Sequence, residues 1–151
     1  MNQESIGKTA PQSESGPGIP VQPGLFAYPV PTGSVPVLLA NRCTTCEKTF
    51  FPKRTFCPGC FDSGKMKNIT LDRRGIVYAA TVVRVSSPAG IIAPYIYGYV
   101  DIPADRLRVF TLFSGEDPDL LVPGREVELV LEPIRTDNNG HQIISYKFKL
   151  A

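Results

Sequence analysis

Apolar and polar residues alternate most regularly near the end of the chain. In "REVELVLEP", Val127, Leu129 and Leu131 occupy one phase and Glu126, Glu128 and Glu132 the other; in "QIISYKFKL", Ile144, Tyr146, Phe148 and Leu150 alternate with Ser145, Lys147 and Lys149. A period of two predicts half-buried strands. Three earlier runs are as apolar, aromatic or β-branched: "GIVYAATVVRV" (75–85), "PYIYGYVDI" (94–102) and "LRVFTLFS" (107–114). Turn residues separate the last runs at "VPG" (122–124) and "TDNNG" (136–140), and only "GEDPDLL" suggests a single helical turn. Five short strands with a longer connection between the third and fourth predict a mainly β protein. Its expected core is a small closed barrel of the OB-fold type.

The start of the chain follows a different rule. Residues 1–36 hold seven of the fifteen prolines and five of the thirteen glycines, a density that forbids helix and interrupts sheet ladders. The first ~24 residues are expected to be disordered in the free protein. From Leu25 onward, Leu25, Phe26, Tyr28, Val30, Val35 and Val37 are too apolar for a solvated tail. They suit either an extended arm lying on its own domain or one that orders on a partner. The expected organisation is therefore a proline-rich arm over 1–36, a cysteine-containing unit over 37–66 and the barrel over 67–151. With 151 residues, 42% of them apolar, the chain has enough material for one modest core. No run approaches the ~20 apolar residues of a membrane span, and the N-terminus lacks a secretory apolar core, so the expected location is the cytoplasm.

Between arm and barrel lies "RCTTCEKTFFPKRTFCPGC". Two C-x2-C pairs, Cys43/Cys46 and Cys57/Cys60, predict two knuckle turns that together close a tetrahedral Zn2+ site with a structural role. "FFPKRTF" is expected to supply two short strands and a turn at Pro52 and Lys53. Two disulfides would require an oxidising compartment. A rubredoxin-type iron centre normally has Gly after each knuckle, where this chain has Glu47 and Phe61. A thioredoxin-like motif would need a βαβ setting, which the pattern lacks.

Charge changes the picture locally. The net charge is only +2, but residues 42–84 hold nine Lys/Arg against three acidic residues, and residues 85–151 hold six basic against nine acidic. Lys53, Arg54, Arg73 and Arg74, within the positive middle, are candidates to meet a phosphorylated ligand or an acidic partner, or form a plain solvated face. His141 is the only histidine and sits beside the "DNNG" turn, so no Ser-His-Asp or Cys-His arrangement is evident. No phosphate-binding Gly-rich loop appears either. Ile91, Ile92 and Tyr95, between the first two predicted strands, suit either a cap on the barrel mouth or an apolar contact loop.

The order of motifs, from Arg42 before the first cysteine through Phe51-Pro52, Cys57-Pro-x-Cys60, Gly75 and Pro94-Tyr95, resembles the zinc-ribbon/OB-fold acyl-CoA-associated proteins over about residues 38–150. Within that family, the proline-rich start and short C-terminal end are most similar to the small subunits of thiolases of anaerobic toluene breakdown. The resemblance implies a non-catalytic subunit that docks on a thiolase-fold or hydratase-fold enzyme and helps form its acyl-CoA channel, and the likeness to thiolase small subunits favours a thiolase-fold partner. Attack of a cysteine on the β-ketoacyl-CoA would then belong to the partner chain. It also implies zinc on Cys43, Cys46, Cys57 and Cys60, and CoA or acyl-CoA bound by the complex; the four candidate cations would then meet CoA phosphates or an acidic partner. Family members usually enter the ribbon from a helical segment, which the prolines over 11–36 forbid here. Two other functions compete. Tyr78, Tyr97, Tyr99 and Phe110 could stack bases in a single-stranded nucleic-acid-binding module, though the negative second half opposes it. An independent enzyme would rest on His141 and scattered carboxylates alone.

Overall fold

The structure, a computed structural model, describes residues 18–61, 64–115 and 117–151. The predicted disorder of residues 1–17 lies outside the described residues. Among the described residues there are nine strands: β1 Ile19–Pro20, β2 Leu39–Cys43, β3 Thr49–Phe50, β4 Met66–Thr70, β5 Arg74–Val83, β6 Tyr95–Ile102, β7 Leu107–Phe113, β8 Glu126–Thr136 and β9 Gln142–Leu150. Two short 3-10 turns, Pro103–Asp105 and Pro118–Leu120, complete the described elements, the second within "GEDPDLL".

The five predicted barrel strands are β5 to β9. β5 pairs with β6, β6 with β7, β7 with β9, β9 with β8, and β8 back with β5. That cycle closes the sheet into a five-stranded barrel whose one parallel contact is β7 with β9, the OB-fold order. Inward residues Val77, Val100, Ile102, Val109, Val127, Leu129 and Phe148 form its interior. A bulge between Val77 and Ala79 lets Gly98 pass close under the strand, where an added Cβ would meet the Ala79 carbonyl oxygen.

The cysteine-containing unit is a separate sheet of order β3-β2-β4. Here the structure corrects the expected hairpin. β3 stops at Phe50 and pairs back with β2, and β2's other neighbour is β4, not a second strand within "FFPKRTF". Pro52, having no N–H, cannot extend a ladder. The Asn41 side chain instead takes over the backbone of the following loop, donating to the Arg54 carbonyl at 2.7 Å and accepting from the Arg54 N–H at 3.1 Å.

The two sheets share one core. Leu38, Ala40 and Leu71 from the ends of β2 and β4 join the barrel cluster, and so do Leu25 and Phe26 of the arm. Phe26 bridges to Leu38, and the Leu39 N–H donates to the Leu25 carbonyl. Over these residues the arm lies on its own domain. Order also begins earlier than the predicted residue 24: Ile19–Pro20 adds in parallel to β9, and the Val21 N–H donates to the Ile144 carbonyl at 2.7 Å. A proline tolerates this because an edge strand needs donors on one side only.

Candidate metal centre and docking face

Each C-x2-C pair folds into the same tight turn. The Glu47 N–H donates to the Cys43 carbonyl at 2.8 Å and the Phe61 N–H to the Cys57 carbonyl at 2.6 Å. To close these turns Glu47 and Phe61 adopt φ of +62° and +57°, the left-handed region that glycine serves best. The missing glycines therefore do not alter the knuckle geometry. Cys43 and Cys57 are fully buried, and the four sulfurs lie within 4.8 Å of one another.

Those thiols fit a tetrahedral ion. Four thiolates at about 2.3 Å from Zn2+ stand about 3.8 Å apart. Cys43 Sγ is 3.9 Å from Cys60 Sγ, and Cys46 Sγ is 3.6 Å from Cys57 Sγ. The Cys46 backbone N–H brings the Cys43 thiol down to about 6, while hydrogen bonding with the Cys46 thiol pushes Cys60 up to about 12. A coordinated cation would favour the thiolate form of all four. Four sulfurs fill the coordination sphere of zinc and leave no position for substrate, so the centre holds structure.

The four candidate cations fall in two places. Lys53 and Arg54 are exposed on the ribbon loop that Asn41 clamps. Arg73 and Arg74 begin the barrel, where Arg73 pairs with Glu128 at 3.3 Å and its Nε has no hydrogen-bond partner among the described residues. Arg74 is exposed and lines a surface hollow with Arg125, Glu126 and Glu128. A second glutamate of β8 is also paired: Glu132 accepts from the Ser114 hydroxyl and meets Lys147 at 3.4 Å.

The ribbon's aromatic residues divide. Phe51 turns inward, packing edge-on against Tyr146 at 5.4 Å and joining ribbon to barrel. Phe56 stays exposed and stacks on Phe61, with ring centroids 6.3 Å apart and planes 25° from parallel. Phe61 stands where such a knuckle usually carries glycine, and a large apolar residue at that position is its only signal in the sequence.

A second aromatic face lies on the barrel's outer surface. Tyr78, Tyr99 and Phe110 are exposed, Phe110 meets Tyr97 and Tyr99 edge-on at 5.3 and 5.6 Å, and the Arg108 guanidinium lies 3.3 Å over the Tyr78 ring. The same guanidinium donates to the Asp101 carboxylate, from Nε at 2.6 Å and from Nη2 at 3.1 Å. An apolar cleft of about 360 Å³ adjoins this face, lined by Ile91, Tyr95, Tyr97, Phe110, Leu112 and Tyr146 among others. Ile91 thus lines the cleft while Ile92 projects outward. Its shape is held by the Ser87 N–H donating to the Ile91 carbonyl and the Ala93 N–H to the Ser86 hydroxyl. A larger polar cleft, about 640 Å³, lies between the first knuckle and the β6–β7 turn, with Arg42, Lys48 and Arg106 beside Glu47 and Asp105. His141 is exposed, its Nδ1 3.4 Å from Asp137 on the β8–β9 turn.

Comparison with known proteins adds an independent line. A family described as the ChsH2 rubredoxin-like zinc ribbon domain matches residues 33–66. The chain is 41% identical over 117 residues to the benzoylsuccinyl-CoA thiolase subunit BbsA of Geobacter metallireducens, covering 78% of this chain and 77% of that protein. Identity to the BbsA subunit of Thauera aromatica is 35% over 127 residues, covering 84% and 85% of the two chains. A DUF35 domain-containing scaffold protein of Methanothermobacter thermautotrophicus is 31% identical over 113 residues, covering 74% and 84%. Among solved structures, the Ltp2-ChsH2(DUF35) aldolase shares the fold with a TM-score of 0.59 at 22% identity, over 76% of this chain and 84% of that one.

Proposed function

Because the chain belongs to the DUF35 family of zinc-ribbon proteins, we propose that it is a non-catalytic accessory subunit of an acyl-CoA-processing thiolase. In this reading it docks on a thiolase-fold partner, helps shape the partner's acyl-CoA site, and the complex acts on benzoylsuccinyl-CoA. The observation that carries it is local. All four cysteines converge on one closed metal cluster, so the chain commits its thiols to structure and presents exposed aromatic residues around them.

The acyl-transfer nucleophile then comes from the partner, and this subunit positions and covers. Its apolar cleft, lined in part by Tyr95, Tyr97 and Tyr146, suits the apolar part of an acyl-CoA, and Lys53, Arg54, Arg73 and Arg74 suit CoA phosphates or acidic groups of the partner. A tagged copy co-expressed with the thiolase-fold chain from its own source is expected to purify with it in fixed ratio and to raise its thiolase activity. A chain that stays free and leaves that activity unchanged contradicts the proposal.

A second reading is favoured by the barrel's outer face, where Tyr78, Tyr97, Tyr99 and Phe110 gather as stacking platforms for single-stranded nucleic acid. The nearest cation, Arg108, is already paired with Asp101, which weakens a backbone-tracking role. Salt-sensitive micromolar binding to single strands would favour this reading over the first.

A further inference from the structure

The second metal knuckle carries a residue that its own fold does not require. Phe61 is a bulky side chain at φ +57°, a conformation in which non-glycine residues are held at a cost. It also leaves 78% of its surface exposed, so burial within the chain does not offset that cost. The first knuckle shows the alternative: at the equivalent position, with φ +62°, stands the exposed Glu47. The turn therefore accepts a polar residue, and the phenyl ring at 61 is an addition.

That ring is not isolated. Phe56, 47% exposed, stacks beside it, so the two present one continuous apolar tip. Both are held rigidly from below. Phe61 follows a metal ligand and its N–H is bonded to the Cys57 carbonyl, while Phe56 ends the loop whose backbone Asn41 clamps at Arg54. Aromatic residues presented with little conformational freedom are the common anchors of protein interfaces. Exposed Lys48, Lys53 and Arg54 belong to the same ribbon, so a complementary surface carries carboxylates around an apolar centre.

We propose that Phe61, stacked with Phe56, is the anchor that seats this subunit in an apolar, carboxylate-rimmed pocket of the thiolase-fold partner, an inference that rests on the accessory-subunit reading above. It predicts opposite effects on folding and on binding. Phe61→Gly and Phe61→Asn both suit a left-handed backbone and both delete the ring.

The test titrates the zinc-loaded full chain, wild type and each variant, into the thiolase-fold chain by calorimetry, alongside zinc content and melting of each free protein. Both variants are expected to keep their zinc, to melt at or above the wild-type midpoint, and to bind about 30-fold more weakly. Phe56→Ala is expected to weaken binding in the same direction by a smaller factor. If the wild type binds and the variants bind within about twofold of it, the anchor is overturned and the accessory reading stands. If the variants lose zinc or melt lower, the ring is structural and the anchor is likewise overturned. If the wild type itself does not bind, both readings fall.

Discussion

Replacing Asn41 by Ala removes the clamp that shapes the ribbon loop. Asn41 is only 4% exposed, on the central strand of the ribbon sheet, and its amide makes both hydrogen bonds to the backbone of Arg54. At about 1 kcal/mol per exchanged hydrogen bond, the loss is about 2 kcal/mol, which lowers the melting midpoint of a domain this size by about 4–8 °C. Asn41→Asp sharpens the argument. It retains the acceptor for the Arg54 N–H but sets a carboxylate oxygen against the Arg54 carbonyl, so at neutral pH it should be worse than Ala. Melting with zinc bound gives the ranking, and amide exchange at Arg54 should accelerate in both variants. A midpoint for Asn41→Ala within about 1 °C of wild type, with Arg54 exchange unchanged, would refute the clamp.

Further outcomes follow from the same geometry. Gly98→Ala should destabilise by about 2–3 kcal/mol, read by urea unfolding, because the new Cβ meets the Ala79 carbonyl at the β5 bulge. Stripping zinc with a strong chelator should remove amide protection from β2–β4 before β5–β9, since the short ribbon strands depend on the cluster and the barrel has its own closed ladder. The His141 N–H, and then the Asn139 N–H, hold the Asp137 carboxyl below its usual range. Its stabilising contribution is thus complete above the unfolded value and lost as pH falls through the lower folded one. The stability difference between wild type and Asp137→Asn should shrink on acidification, and a difference that grows would contradict the sign.

How far the chain could be read from its residues depended on what held each element in place. β8 and β9 were legible because Val127, Leu129 and Phe148 must be buried and their neighbours need not be. β4, "MKNIT", carries no such period, as its residues are half-buried or exposed and the strand exists through pairing with β2. β1 was hidden by its proline, and the ribbon hairpin was misplaced because Asn41, a side chain, does the work expected of a ladder. At the site, cysteine spacing was sufficient to identify the metal cluster. It could not show that Phe51 packs on Tyr146, that Arg73 is paired with Glu128, or that Phe61 stands outward on Phe56. Those are facts of tertiary placement, and residue type alone leaves both directions open.

The accessory-subunit account is tested most directly by sedimentation velocity of the zinc-loaded chain mixed with the thiolase-fold chain from the same source, with thiolase activity toward benzoylsuccinyl-CoA measured on the same fractions. The account predicts a new, faster-sedimenting boundary containing both chains, with activity confined to it and none in this chain alone. Two boundaries unchanged by mixing, with full activity in the thiolase chain by itself, would contradict it.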